Sequence, residues 1–345
     1  MSGRDGNVLG LPASRRLVLL LVDGLGGRLL ADYASDAPYL SSLPARTITC
    51  NVPSTTVTSL TSLGVGTGPG QHGLVGYTCR IPGTDRLLNG LKWDRDVDPR
   101  EWQPLETAFA RAARAGVRTT VVNKRSFEDS GLTVAGQRGA DFAAADSAGE
   151  RLAAAALVAA EAPSLVYVYD GDLDWTGHRH GCRSEAWRHQ LAIVDAFAAR
   201  LREVIPDDAT LVVTADHGMV DIPASGRVDA DTEDDLLDGV ETLAGEARFR
   251  HLHCRSGAVD DVVAAWGERL GADALVVRRE EAIAAGWFGE MRTSVALRLG
   301  DVMIACLGDV AVESSVRFPH ESKLFGLHGS LTADEMLVPL LVDLG

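Results

Sequence analysis

Six side chains in this sequence could do metal chemistry: Asp23, Asp174, His178, Asp216, His217 and His328. Imidazole nitrogens and carboxylate oxygens are the donors that zinc takes in hydrolytic sites. In the run DWTGHRHG, Asp174 and His178 stand four residues apart around a glycine, which lets one carboxylate and one imidazole meet a single ion. This run is expected in a loop after a strand. TADHG sets Asp216 beside His217 just past an apolar run, and LHGS holds His328. Singly, each has a plainer explanation: a polar surface loop, a helix-capping aspartate, a hydrogen-bonded histidine. Together they supply three ligands for each of two sites, leaving coordination positions open for chemistry. Zinc suits the donor set, with manganese or iron as alternatives. Two divalent ions carry four positive charges against three carboxylates, and such a pair can hold the attacking and leaving oxygens of an in-line displacement at phosphorus.

A nucleophile is available in VPSTTVTSLTSLGVGTGPGQHG, where Thr55, Thr56, Thr58 and Ser59 precede a helical run. A hydroxyl at a helix N-terminus lies among unpaired backbone N–H groups and at the positive end of the dipole, both favourable to an incoming phosphate. The same cluster would also serve as an ordinary N-cap. Cations beside the hydroxyl lower its pKa and make it a nucleophile near neutral pH.

These residues need a frame. RRLVLLLVDG, SLVYVYDGD and TLVVTADHG are short apolar runs closed by carboxylates, the pattern of parallel strands buried on both faces, and VRTTVVN at 117–123 adds another. Helical stretches at 146–162 and 184–202 alternate with them. The expectation is an α/β fold with a mainly parallel central sheet between two layers of helices. Ligands in such sheets bind beyond the carboxyl ends of the strands. Asp23, Asp174 and Asp216 all fall at or just past strand ends and should converge on one rim. Residues 1–14 are expected as a flexible tail, 15–222 and 310–345 as the α/β core, and 223–309 as an inserted α+β cap subdomain. The insert opens on an acidic cluster at 229–238 and alternates short strand-like runs with one helix.

The chain has 345 residues, and its 48 acidic against 33 basic residues give a formal charge of -15. Such a surface repels polyanions, so a nucleic acid polymer is not the expected partner. Attraction for a phosphate must be local. The five cysteines are dispersed, with no C-x-x-C pair, as expected of thiols in a reducing, cytoplasmic compartment. The apolar run at 17–22 is too short for a secretion signal, and no run approaches a membrane span, so no membrane association is expected.

Read in order, the motifs resemble the alkaline phosphatase superfamily and, within it, the type I phosphodiesterase/nucleotide pyrophosphatase family. The elements are a strand ending in Asp23, then Pro53 to Thr56, His72-Gly73, Asp174 to Gly181, Asp216 to Gly218, and His328-Gly329. They span almost the whole chain. The resemblance implies an alkaline-phosphatase-like three-layer α/β/α fold and a covalent threonine intermediate. It also implies that Asp174, His178 and His328 hold one zinc, while Asp23, Asp216, His217 and the nucleophile hold the other. An ungapped match through His72-Gly73 selects Thr56 as that nucleophile. The family's phosphate-binding Asn falls on Tyr77, with Asn89 as the substitute after a loop shift; removing one such donor costs roughly 3 kcal/mol. Trp175, inside the ligand run, is expected to line the site.

The expected substrate is a small phosphorylated compound or nucleotide. No Arg lies in the nucleophile segment to neutralise the extra charge of a monoester, although Arg80, Arg86 and Lys92 follow it closely in sequence. A phosphodiesterase or nucleotide pyrophosphatase is therefore expected, with a phosphomonoesterase as the alternative. Sulfatases are disfavoured because the segment lacks C-x-P-x-R or S-x-P-x-R, and related mutases place Ser where Thr56 stands. A non-catalytic metal-binding protein would have no chemical need of Thr56.

Overall fold

The computed structural model describes residues 7–233 and 235–345, so residues 1–6 of the expected tail and residue 234 of the acidic cluster lie outside the described residues. Six runs form strands of a central sheet: β1 (Arg16–Val22), β2 (Ala45–Thr49), β3 (Arg118–Asn123), β4 (Asp141–Ala144), β5 (Ser164–Asp170) and β6 (Thr210–Thr214). Four more, β7 (Val240–Glu246), β8 (Phe249–Cys254), β9 (Ala274–Arg278) and β10 (Val302–Cys306), form an antiparallel sheet in the order β7-β8-β10-β9. The chain then returns to the central sheet as β11 (Leu337–Asp343), giving the order β2-β11-β6-β1-β5-β3-β4. Strands β1, β3, β4, β5 and β6 run parallel, and β11 is antiparallel to both of its neighbours. The expected mainly parallel sheet is present. Strands β2, β4 and β7 have no counterpart in the sequence reading; β2 and β4 are edges, and the residues of β2 are mostly exposed, so neither has a continuous apolar run.

Alternation along the strands makes the layers. Val18, Leu20 and Val22 of β1, with Val166 and Val168 of β5, face one side, where helices Ala148–Ala159 and Glu185–Val204 pack. Each fully buried side chain of this kind contributes roughly 1.5–3 kcal/mol. Leu19, Leu21 and Tyr167 face the other side, against Leu60 and Phe109. Leu60 belongs to α1 (Thr56–Val65). In the second sheet, Leu252 and Ile304 face Trp266 of helix Val259–Leu270, while Phe249, Met303 and Ala305 face Val57, Leu74 and Val75. A short parallel pairing of Arg227–Asp229 with Ala311–Glu313 joins the chain where it enters and leaves this second sheet, across the expected boundary at 309/310.

The β7–β8 hairpin is anchored to the central layer by buried ion pairs. Arg248 donates to Glu335 from Nε (3.1 Å) and Nη2 (2.7 Å), with both side chains fully buried. Glu335 also accepts from Ser330 N (3.0 Å) and the Thr332 hydroxyl (2.6 Å), so its carboxylate is well satisfied. Arg250 pairs with Glu321 through Nη1 and Nη2, while its Nε donates to Val312 O (2.8 Å). Removing one member of a buried pair leaves the other charge uncompensated. Arg248→Met is therefore expected to destabilise the fold by about 3–5 kcal/mol, read as a lowered urea midpoint; an unchanged midpoint would mean the hairpin is not held this way.

Candidate active site

Strand order brings the distant carboxylates together. β6, β1 and β5 are adjacent, with Leu21 paired to Thr214 and Val22 to Asp170. Asp23, directly after β1, and Asp216, two residues after β6, therefore emerge side by side. Asp174 follows β5 in the first turn of α2 (Asp172–His180). This is a correction: the DWTGHRHG run is helical, where a loop was expected. Acidic Asp172 and Asp174 in its first turn and basic His178, Arg179 and His180 in its last turn match the helix dipole. The four-residue spacing of Asp174 and His178 thus reflects one helix face, with Nε2 to Oδ2 at 3.4 Å. Gly24 has φ +75°, and a Cβ there would lie 3.0 Å from Asp174 Cβ, so the turn after β1 admits glycine on both counts.

His328 reaches the rim because Gly326–Leu327 pairs antiparallel with Val220–Asp221, just beyond His217. The His217 and His328 rings stack with centroids 3.6 Å apart. Thr56 begins α1, and its Oγ1 lies 3.2 Å from His217 Nε2. The ordinary capping role does not hold: Thr55 is the N-cap but makes no side-chain cap hydrogen bond. Its hydroxyl lies beside Glu246 instead, and the first-turn N–H groups carry no side-chain cap. His72 is structural. Leu74 N donates to its Nδ1 (3.1 Å), which places the ring proton on Nε2, donating to Ser62 Oγ (2.8 Å).

Two groups of three could each hold a metal ion: Asp174, His178 and His328, and Asp23, Asp216 and His217. Within each group the ligand atoms lie within 4.8 Å of one another. Hydrogen bonding tests the fit. Nδ1 of His178 faces Gly326 O (2.7 Å), Nδ1 of His217 faces Gly218 O (2.9 Å), and Nδ1 of His328 faces Ser54 O (2.9 Å). Only a protonated Nδ1 can donate to these carbonyls, so each Nε2 presents its lone pair to the cluster. There the lone pairs meet carboxylates: His217 Nε2 is 3.3 Å from Asp23 Oδ1 and 3.6 Å from Asp216 Oδ2. Asp23 Oδ1, Asp174 Oδ1 and Asp216 Oδ2 are buried without a hydrogen-bond partner. Imidazole lone pairs facing unpartnered carboxylate oxygens are repulsive unless a proton or a metal ion lies between them, and three such donors in each group fit a metal ion apiece.

The sequence reading missed several groups around this centre. The Tyr169 hydroxyl donates to Asp23 Oδ2; strand parity pointed to it, since Tyr167 and Tyr169 share the β5 face that looks toward α1. Glu246, at the end of β7, has Oε2 3.8 Å from His328 Nδ1, and no local motif marks it. A cavity of about 360 Å³ opens beside Asp23, Thr56 and Asp174, and Asn123, Lys124, Phe127 and Trp175 line it. Lys124 Nζ pairs with Asp172 at 2.7 Å. Trp175 is 59% exposed at the rim of this cavity. Tyr77 and Asn89 do not line this cavity. They line a separate one together with Lys92, because the 87–92 segment turns so that only Leu91 faces Thr56's cavity.

These features define the class: an α/β phosphoester hydrolase of alkaline-phosphatase-like fold. Residues 17–331 match the family described as Type I phosphodiesterase / nucleotide pyrophosphatase, and the chain belongs to that family. No curated protein matches it by sequence. Among solved structures, it is similar to an inactive threonine-to-alanine variant of murine ectonucleotide pyrophosphatase / phosphodiesterase 5 in complex with AMP. The TM-score is 0.76 at 16% identity, over 95% of this chain and 87% of that one. The human ectonucleotide pyrophosphatase / phosphodiesterase 5 gives 0.75 at 18%, over 95% and 87%. Phosphonoacetate hydrolase from Sinorhizobium meliloti 1021, in complex with phosphonoacetate, gives 0.69 at 20%, over 96% and 90%.

Burial, then the charges of Asp216 and Asp174, holds the Asp23 carboxyl well above the usual range, against the opposing Tyr169 hydrogen bond. Burial also raises Asp216. Burial, then His217 and His178, keeps His328 well below its usual value and neutral, the ligand form. Without cations, folded Asp23 keeps a proton that the unfolded chain releases above about pH 4. The folded state then binds more protons, so stability falls as pH rises past that value toward the folded pKa. In chelator-treated protein, Asp23→Asn is expected to raise Tm by a few degrees near neutral pH, with the gain vanishing near about pH 4. A destabilised variant at neutral pH would contradict the repulsion.

Proposed function

We propose that this chain is a two-metal phosphodiesterase or nucleotide pyrophosphatase that works through a covalent Thr56 intermediate. The observation that carries this reading is the position of Thr56 Oγ1. It stands at an uncapped helix N-terminus, 3.2 Å from His217 Nε2, beside two clusters whose lone pairs and free oxygens converge. The inactive state of the murine relative, in which a threonine is replaced by alanine, supports the assignment.

Asp174, His178 and His328 would hold one ion and Asp23, Asp216 and His217 the other, with zinc favoured by the nitrogen and oxygen donors and manganese or iron as alternatives. When bound, such ions polarise phosphoryl oxygens and lower the pKa of a neighbouring hydroxyl or water. Thr56 supplies the attacking oxygen: its bond to phosphorus forms as the bond to the leaving alcohol or phosphate breaks, and the leaving group takes up a proton. Water then cleaves the nucleotidyl-threonine, restoring the hydroxyl and releasing the phosphate monoester. The first-turn N–H groups of α1 are placed to donate to the non-bridging oxygens. Tyr169 holds Asp23 in orientation, and the carbonyls of Gly326, Gly218 and Ser54 hold the three imidazoles.

The diester preference rests on the cavity wall. Lys124 is its cation, already paired with Asp172, and no arginine lines it among the described residues, so the second charge of a monoester finds little compensation. Phe127, Leu91 and Trp175 make the rim apolar, suited to a base or other aromatic group, and the AMP held by the murine relative supports a nucleotide-like substrate. This reading treats the second sheet as a cap whose β7–β8 hairpin buttresses the rim. The five cysteines are free thiols, which supports a reducing compartment, and we include a cytoplasmic location in the proposal.

Zinc-loaded protein assayed on bis-p-nitrophenyl phosphate, p-nitrophenyl phosphate and thymidine monophosphate p-nitrophenyl ester is expected to favour the diesters. Thr56→Ala is expected to lower kcat by roughly 10³-fold or more. Preferred monoester cleavage would replace the diesterase reading with a phosphomonoesterase, and turnover that survives in Thr56→Ala would remove the covalent step. Metal analysis should find two ions per chain, falling to one in His328→Ala; an unchanged count would break the ligand assignment.

A further inference from the structure

Tyr77 and Asn89, the residues that sequence placed on a phosphate oxygen, sit in a second cavity of about 350 Å³ on the far side of the loop that carries Leu91. Its wall brings together three basic side chains from two distant segments: Lys92, Arg317 and His320. All three are exposed, and none forms an ion pair among the described residues. The one carboxylate in the wall, Glu321, is already engaged by the buried Arg250. Asn89 Oδ1 accepts from Leu91 N and Lys92 N, both at 3.0 Å, which leaves its amide nitrogen, with the Tyr77 hydroxyl, as a neutral donor in the cavity wall.

A chain of charge -15 repels anions at long range, and unpaired basic groups converging on a concave surface repel one another. An anion seated among them relieves that local repulsion, at a place where the basic groups offset the long-range field, and it finds neutral donors there too. We propose that this cavity is a second anion-binding site, separate from the Thr56 centre, for a phosphate-bearing small molecule. Two sources share that chemistry: the distal phosphate of a substrate reaching across the 87–92 loop, or an independent phosphate compound. The site depends on neither Thr56 nor the metal clusters.

Calorimetric titration of zinc-loaded protein with methylenediphosphonate, which cannot be hydrolysed, tests it. Wild type is expected to show two classes of site. Arg317→Ala/His320→Ala should lose one class, its affinity falling about tenfold or more, while kcat/KM for bis-p-nitrophenyl phosphate stays within about twofold. Arg317→Lys should recover part of the binding. A single class in wild type, or two unchanged classes in the double variant, would overturn the proposal. KM then separates the sources. A KM for ATP raised about tenfold in the double variant, with that for thymidine monophosphate p-nitrophenyl ester unchanged, identifies the substrate's own distal phosphate. Unchanged KM for both, with the diphosphonate class lost, identifies a separate anion. Should the protein turn over none of these esters, the calorimetric result still decides the site while the diesterase reading falls.

Discussion

Two buried carboxylates and a third that is mostly covered, held against one another with no lysine or arginine pairing with them among the described residues, are the constraint on which this structure turns. Asp23, Asp174 and Asp216 have histidines as their ion-pair partners among the described residues, and each histidine offers a lone pair to the cluster rather than a proton. Such an arrangement is unfavourable in itself, since burial penalises the charged forms and the like charges repel. It persists because the surrounding fold is stable enough to impose it. The three central strands β6, β1 and β5 are buried on both faces, and their ends leave Asp23 and its neighbours little room to separate.

The second sheet carries part of that burden. Its β7–β8 hairpin sends Glu246 toward Thr55 and His328, Arg248 into Glu335, and Arg250 into Glu321. The last two carboxylates flank the His328 segment in sequence. Buried ion pairs are weak evidence for net stability, but once formed they tolerate little displacement, because a separated partner remains buried and charged. The hairpin therefore fixes where His328-Gly329 and the start of α1 sit relative to β1. Removing a Cβ at Gly329 serves the same end, since an added one would fall 2.8 Å from the Glu246 side chain.

Charge is partitioned in the same spirit. Lys124 in the cavity beside Thr56 is tied to Asp172, whereas Lys92, Arg317 and His320 in the second cavity have no ion-pair partner among the described residues. An acidic protein that handles anionic substrates must concentrate its attraction locally, and the loop separates two candidate places, the carboxylate and histidine cluster on one side and the basic side chains on the other.

Much of this was legible in the residues alone. Apolar runs closed by aspartate determined the parallel strands and the rim on which Asp23, Asp174 and Asp216 meet, and donor chemistry determined which six side chains could serve as ligands; that Thr56 rather than Thr55 is the candidate hydroxyl came from the family resemblance, not from these patterns. These are short-range properties, set by periodicity and by atom type. Tertiary structure alone decided that Asp174 and His178 share a helix, that Tyr77 and Asn89 leave the Thr56 cavity, and that Glu246, Tyr169 and Lys124 join it or its supports. It also decided the tautomers of His178 and His328, because the carbonyls of Gly326 and Ser54 come from elements far away in the chain, whereas His217 is fixed by the carbonyl of its own neighbour Gly218. Contacts of that kind depend on how layers pack, and packing is a sum over distant residues that no local pattern records.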